Sequence, residues 1–190
     1  QGKLDEAMRI SSELIAAFPA DEELAANHAR LLGQKGSHDD AIRFLETFLT
    51  QYPSASQARA ALANEYTAAK RLSDAVNELR KSIQLDANNK NNFLALGKLY
   101  SWQDKTSEAV ALYQTVLDRD PENGAALTGM GNTYRYANLN SKAMGYYQRA
   151  LAVDPDATDA QDAVRRIRES TAPEARMKYS LSKFDDAVTA

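Results

Sequence analysis

Four polar side chains stand thirty-four residues apart: Arg30, Asn64, Lys98 and Asn132. All four donate hydrogen bonds, and donors at a fixed interval suit the regularly spaced carbonyls of an extended or helical peptide. Asn27, Thr67, Asn91 and Arg135 add polar groups at neighbouring positions. Trp102 and Tyr136, again thirty-four apart, are the aromatic pair fitted to anchor such a ligand, because Trp, Tyr and Arg dominate binding hot spots. The competing use of Trp102 is to cover a turn between two helices. Together these residues are the expected partner-binding set.

Covalent and acid–base chemistry finds no comparable pattern. Cysteine is absent, which removes disulfides, thiol nucleophiles and thiolate metal sites. His28 and His38 have neither a third ligand nor a carboxylate partner at a spacing that metal binding or proton transfer uses. No phosphate-loop, nucleophile-elbow or zinc-helix motif occurs, and Gly129-Met130-Gly131 reads as close helix packing. Glu22-Glu23, Asp39-Asp40, Asp74, Glu108 and Asp118-Arg119-Asp120 fall mostly at helix ends and inter-helix turns, where they cap helices or complement the dipole. Arg165, Arg166 and Arg168 are interleaved with acids and have no base-stacking aromatics nearby. A net charge of −3 gives no general attraction to phosphate backbones. No stretch approaches the roughly 18 consecutive apolar residues of a membrane span. The expectation is a chain with no catalytic residue, metal or cofactor, no nucleic-acid partner and no direct membrane insertion by these residues.

A ladder of period thirty-four needs elements of that period to hold it. With 33 alanines, 44% hydrophobic residues and only 8 Gly and 5 Pro among 190 residues, the chain reads as helical and able to bury a core. Alanine recurs at Ala7, Ala41, Ala75, Ala109 and Ala143, and twelve residues after each stand Pro19, Pro53, Ala87, Pro121 and Pro155. Nine residues before four of these anchors come Leu32, Tyr66, Tyr100 and Tyr134, and twelve before come Ala29, Ala63, Gly97 and Gly131. Positions sixteen, thirteen, twelve and nine before an anchor share one helical face, spaced i, i+3, i+4, i+7. Positions eighteen, fifteen, fourteen and eleven before it repeat that spacing about 200° away, on the face expected to line a groove.

This pattern resembles the tetratricopeptide repeat (TPR) family over about residues 3 to 170: two antiparallel helices, a small residue at the packing point and proline closing the second helix. The fullest matches are Asn91 to Pro121, with Phe93, Leu96, Gly97, Tyr100, Ala109 and Tyr113, and Ala125 to Pro155, with Leu127, Gly131, Tyr134, Ala143 and Tyr147. The resemblance implies an all-α fold, an open right-handed α-solenoid whose first helices form a concave wall. In the repeat at Ser56 to Ala87, Arg59 takes an aromatic slot and Ala87 replaces proline; His28 replaces the usual Leu one repeat earlier. TPR co-chaperones that hold acidic heat-shock tails use a Lys, Asn, Asn, Lys, Arg clamp. The matching positions here are Ala60, Asn64, Ala95, Ala125 and Gly129, which disfavours that partner.

The expected organisation is a second helix of an incomplete repeat over 1–21, and repeats over 22–55, 56–89 (degenerate), 90–123 and 124–157. A polar capping helix over 158–170 and a tail or start of a following domain over 171–190 complete it. Helices are expected at 2–18, 22–34, 38–51, 56–69, 72–85, 91–103, 106–119, 125–137, 140–153 and 158–170. Met177, Tyr179 and Leu181 alternate with polar residues as in a strand. The chain starts at Gln1 without Met, so its native N-terminus is expected upstream.

Function is then expected to be a non-catalytic interaction scaffold that binds a protein or peptide in its groove. Leu99-Tyr100-Ser101-Trp102-Gln103, Asp120-Pro121-Glu122-Asn123 and the alternating tail are similar to periplasmic TPR regions of outer-membrane polysaccharide-export proteins. That resemblance implies a periplasmic scaffold gathering export partners; the alternative is a cytoplasmic location. Two further classes stay open: a regulatory or substrate-recruiting arm of an enzyme whose catalytic domain lies outside these residues, and self-association through exposed solenoid ends.

Overall fold

The computed structural model describes residues 2–171. Among them are ten α-helices and no strand: α1 (Gly2–Ala17), α2 (Glu22–Gln34), α3 (His38–Gln51), α4 (Ser56–Ala68), α5 (Leu72–Leu85), α6 (Lys90–Trp102), α7 (Thr106–Arg119), α8 (Gly124–Tyr136), α9 (Asn140–Val153) and α10 (Thr158–Thr171). Each bound lies within one residue of the position that periodicity predicts. The architecture is an α-solenoid of antiparallel helix pairs. The alternating segment at Met177, Tyr179 and Leu181 lies outside the described residues.

The helices fall into two compact units that divide inside α6, between Leu99 and Tyr100. In the first unit α1 packs on α2, α2 on α3 and α4, and α4 on both α3 and α5. In the second, α8 packs on α7, α9 and α10, and α10 also on α9. The packing follows from the anchor alanines. Ala41, Ala75, Ala109 and Ala143 are each 0% exposed, since a bare methyl lets helix axes approach to about 8–10 Å. One turn later Leu45, Leu79, Tyr113 and Tyr147 are buried on the same face.

The turn joining the two helices of each pair is built the same way four times. Five residues before the anchors, Gly36, Lys70, Asp104 and Asn138 all adopt left-handed backbone, with φ of 85°, 61°, 58° and 60°. The next residue returns its N–H to a carbonyl five residues back: Ser37 to Leu32, Arg71 to Tyr66, Lys105 to Tyr100 and Leu139 to Tyr134, at 2.8–3.0 Å. This is the Schellman arrangement that satisfies carbonyls at a helix end. Only the first of the four uses glycine.

The degenerate repeat keeps its register with polar devices. The Arg59 guanidinium, nearly buried, pairs with Glu78 at 2.7 Å and donates to the Pro53 carbonyl at 2.6 Å, so a capped ion pair fills the aromatic slot. The buried Ser82 hydroxyl donates to the Ser56 carbonyl at 2.7 Å and accepts from Asn92 Nδ2 at 2.8 Å, linking α4, α5 and α6. His28 is accommodated too. Its Nδ1 lies 3.1 Å from Ser11 Oγ and its ring centroid 4.9 Å from that of Phe44.

Candidate functional site

The face expected to line a groove does line one in the first unit. A pocket of about 440 Å³ is walled by Ala26, Asn27 and Arg30 of α2, Gln57, Ala60, Ala61 and Asn64 of α4, and Asn91, Asn92 and Ala95 of α6, with Glu65, Leu79 and Asn89 completing it. The geometry is a direct result of helix periodicity. Alanines at fifteen and fourteen residues before the anchors leave a low floor, and amides at eighteen, fourteen and eleven stand around it. Of the predicted residues, Asn27, Arg30, Asn64 and Asn91 are brought together here. Gln57, Asn89 and Asn92 were not anticipated, although Gln57 shares the register of Asn91.

The pocket is rich in amides, and its charges are largely committed. Arg30 Nη2 donates to Asn27 Oδ1 at 3.2 Å. Glu65, 8% exposed, sets Oε2 2.8 Å from His38 Nδ1 and presses its carboxylate on Gly33, where an added Cβ would lie 2.7 Å from Oε1. Thus His38 does have a carboxylate partner, supplied by the next repeat. Asn64, by contrast, makes no side-chain hydrogen bond among the described residues, so its amide can serve a ligand.

Thr67 is spent locally: its hydroxyl donates to the Ala63 carbonyl one turn back at 2.7 Å. Lys98 is exposed on α6.

In the second unit the predicted residues meet a different environment. Trp102 and Tyr136 are 46% and 43% exposed. Asn132 Oδ1 accepts a 2.8 Å hydrogen bond from the Tyr147 hydroxyl, which also receives Arg135 Nε at 3.4 Å. The Arg135 guanidinium carbon sits 4.6 Å from the Tyr136 ring centroid. Two glycines seat the tyrosines. A Cβ on Gly131 would come within 2.5 Å of the Tyr147 ring, and one on Gly129 within 2.4 Å of the Tyr113 ring. Gly129, at a groove position by register, therefore leaves its space to Tyr113 instead of a ligand. Ser101 and Thr133 hydroxyls meet at 2.5 Å beneath. Burial, the larger effect in each case, pushes the Tyr113 phenol up to about 12 and raises that of Tyr147.

No three His, Asp or Glu side chains gather in a metal-binding group among the described residues, and no described helix is long and apolar enough to cross a membrane.

Comparison with known proteins extends the repeat reading. Among solved structures, a tetratricopeptide repeat protein from Parabacteroides merdae superimposes with a TM-score of 0.77 at 14% identity, covering 96% of this chain and 72% of its own. The Thermus thermophilus TPR protein TTC0263 gives 0.73 at 18% identity, with 87% and 91% covered. The crystal structure of MamA gives 0.67 at 21%, with 83% and 86% covered. No curated protein matches the sequence. The similar structures share the fold, and the tetratricopeptide repeat family matches residues 1–65 and 103–167, well over half the sequence. With its period of thirty-four, its buried anchor alanines and these matches, the chain belongs to the tetratricopeptide repeat family.

Proposed function

We propose that this chain is a non-catalytic scaffold that docks an extended segment of a partner protein on its first-helix faces. The tetratricopeptide repeat is a protein–protein interaction fold, and the pocket of the first unit supports the finer reading. Its alanine floor admits a main chain, and its amides can both donate to carbonyls and accept from N–H groups. The proposed contacts there are Asn27, Arg30, Asn64 and Asn91. In the second unit Trp102, Asn132, Arg135 and Tyr136 supply the aromatic and cationic contacts, while Lys98 and Thr67 are secondary. Neither the family match nor the similar structures bear on the polysaccharide-export resemblance, and the tail that contributed to it is outside the described residues; the proposal is confined to the scaffold.

The test is a pull-down from native extract with the 190-residue chain, with Asn27→Ala/Asn64→Ala and with Trp102→Ala/Tyr136→Ala, with circular dichroism on all three. A partner held by the parent and lost from both variants at equal helicity is the expected result, each loss amounting to about 2 kcal/mol or more. Equal capture by all three would place binding elsewhere on the molecule and sink the proposal.

A further inference from the structure

We infer that the second unit recognises acidic side chains, Asp or Glu, within an extended partner segment, and that Arg135 is the group that selects them. The inference rests on the scaffold reading and adds the charge of the ligand to it.

The observation is a cluster of donors without an acidic counterpart. The fully buried Tyr147 hydroxyl holds both neighbours: it donates to Asn132 Oδ1 at 2.8 Å and accepts from Arg135 Nε at 3.4 Å. The carbonyl end of Asn132 is thereby used, and its amide N–H groups are what remains to offer. For Arg135, the Nε contact occupies one of five N–H groups; among the described residues no carboxylate lies within ion-pairing reach of the side chain and no acceptor holds its Nη atoms. The guanidinium carbon lies over the half-exposed Tyr136 ring, 4.6 Å from its centroid. Burial raises the Tyr113 and Tyr147 phenols above the ordinary tyrosine value, so both stay neutral and add no negative charge at neutral pH.

A guanidinium tethered at Nε and seated over an aromatic ring, with its Nη atoms uncommitted among the described residues, suits the two-point geometry of a carboxylate. One cation matches one negative charge. A dianionic phosphate would call for a second cation or a helix N-terminus, and α8 begins at Gly124, eleven residues from Arg135. The Tyr136 ring is 43% exposed, so the site lies at the surface and not in a closed pocket, which favours a side chain of a continuing segment over a terminal carboxylate. The whole chain carries a net charge of −3, so its general field repels acidic peptides and any preference for them must arise at this site.

The experiment uses the 190-residue chain and two fluorescein-labelled, acetylated and amidated decapeptides, one alternating Ala with Asp and the other Ala with Asn. Polarisation titrations at neutral pH and near-physiological salt should give about tenfold or greater preference for the Asp peptide. Arg135→Gln should reduce that preference to about twofold or less, while Arg80→Gln, at an exposed position of α5 outside the proposed groove, leaves it intact. Circular dichroism accompanies each variant. Should Arg135→Gln lose helicity, Arg135→Lys replaces it, with the preference expected to fall about threefold or more because an ammonium lacks the planar fork. The Asn peptide with a free C-terminal carboxylate should bind no tighter than its amidated form.

Equal affinity for the Asp and Asn peptides, no binding of the Asp peptide, survival of the preference in Arg135→Gln, or tighter binding through the free terminus would each overturn the inference. The scaffold reading is judged separately by partner capture. If capture depends on the Asn27/Asn64 and Trp102/Tyr136 pairs while the acidic preference is missing, the charge assignment alone fails.

Discussion

His28 stands thirteen residues before Ala41, a position where the neighbouring repeats place Leu62, Leu96 and Met130. Burial against α1 and Phe44 holds its imidazole below the usual histidine value. Between the folded and unfolded values the unfolded chain binds a proton that the folded chain does not, so stability rises with pH across that window. Acidification below about 6.5 should therefore lower the melting temperature, and His28→Leu should remove that part of the dependence. Thermal denaturation of both proteins at pH 7.5 and 5.5 checks this; a parallel drop in both would show that another group is responsible. The substitution is legible in the sequence because the repeat states what belongs at the slot. The Ser11 and Phe44 contacts that absorb the imidazole are not, since they join side chains from three helices.

At the level of elements, both the helices and their closures come from local chemistry. Asp21 Oδ1 accepts from the Glu23 and Leu24 N–H groups at 2.9 and 3.0 Å, and Asn123 Oδ1 from Ala126 at 3.0 Å. The predicted carboxylates Asp39, Asp40, Asp74 and Glu108 sit in first turns, where they face the positive end of the dipole. The left-handed turn residue was not read from the sequence, because Gly, Lys, Asp and Asn share no obvious type at that register. Its energetics make a paired prediction. Gly36→Ala should lower stability by about 1 kcal/mol, since a Cβ disfavours φ of 85°, and Lys70→Gly should raise it by up to about 1 kcal/mol by relieving the same restriction. Chemical denaturation of the two variants measures both, and changes of the same sign would contradict the account. A second register rule also emerged. The residue eight before one anchor meets the residue ten before the next, as in Gly33 with Glu65 and Ser101 with Thr133.

On the scale of the whole molecule, α1 differs from the other second helices. Seven residues after their anchors, Phe48, Ser82, Val116 and Ala150 are 7%, 0%, 2% and 1% exposed, whereas Leu14 is 39% exposed, with Ile10 at 43% and Phe18 at 59% beside it. Each of α3, α5 and α9 packs on the first helix that precedes it, whereas among the described residues none precedes α1. An uncovered apolar stripe of this kind promotes association. Sedimentation of the 190-residue chain should show an average mass rising with concentration, and Leu14→Gln/Phe18→Gln should hold it at the monomer. A concentration-independent monomer mass for the parent would dismiss self-association through this face.

Periodicity alone determined the helices, the buried face and the groove-facing positions, because a thirty-four-residue repeat imposes the same local geometry each time it occurs. That is why the register alone puts Asn27, Arg30, Asn64 and Asn91 on one surface. Tertiary structure decided what each polar group is free to do. Register assigned Asn132 and Arg135 to the same surface as Asn64, yet Tyr147 pins both, while Asn64 makes no side-chain hydrogen bond among the described residues. Likewise His38 gained the Glu65 carboxylate from the next repeat, and Gly129 gave its space to Tyr113. These outcomes depend on side chains from different helices meeting within about 3 Å, a distance that spacing along one helix does not specify.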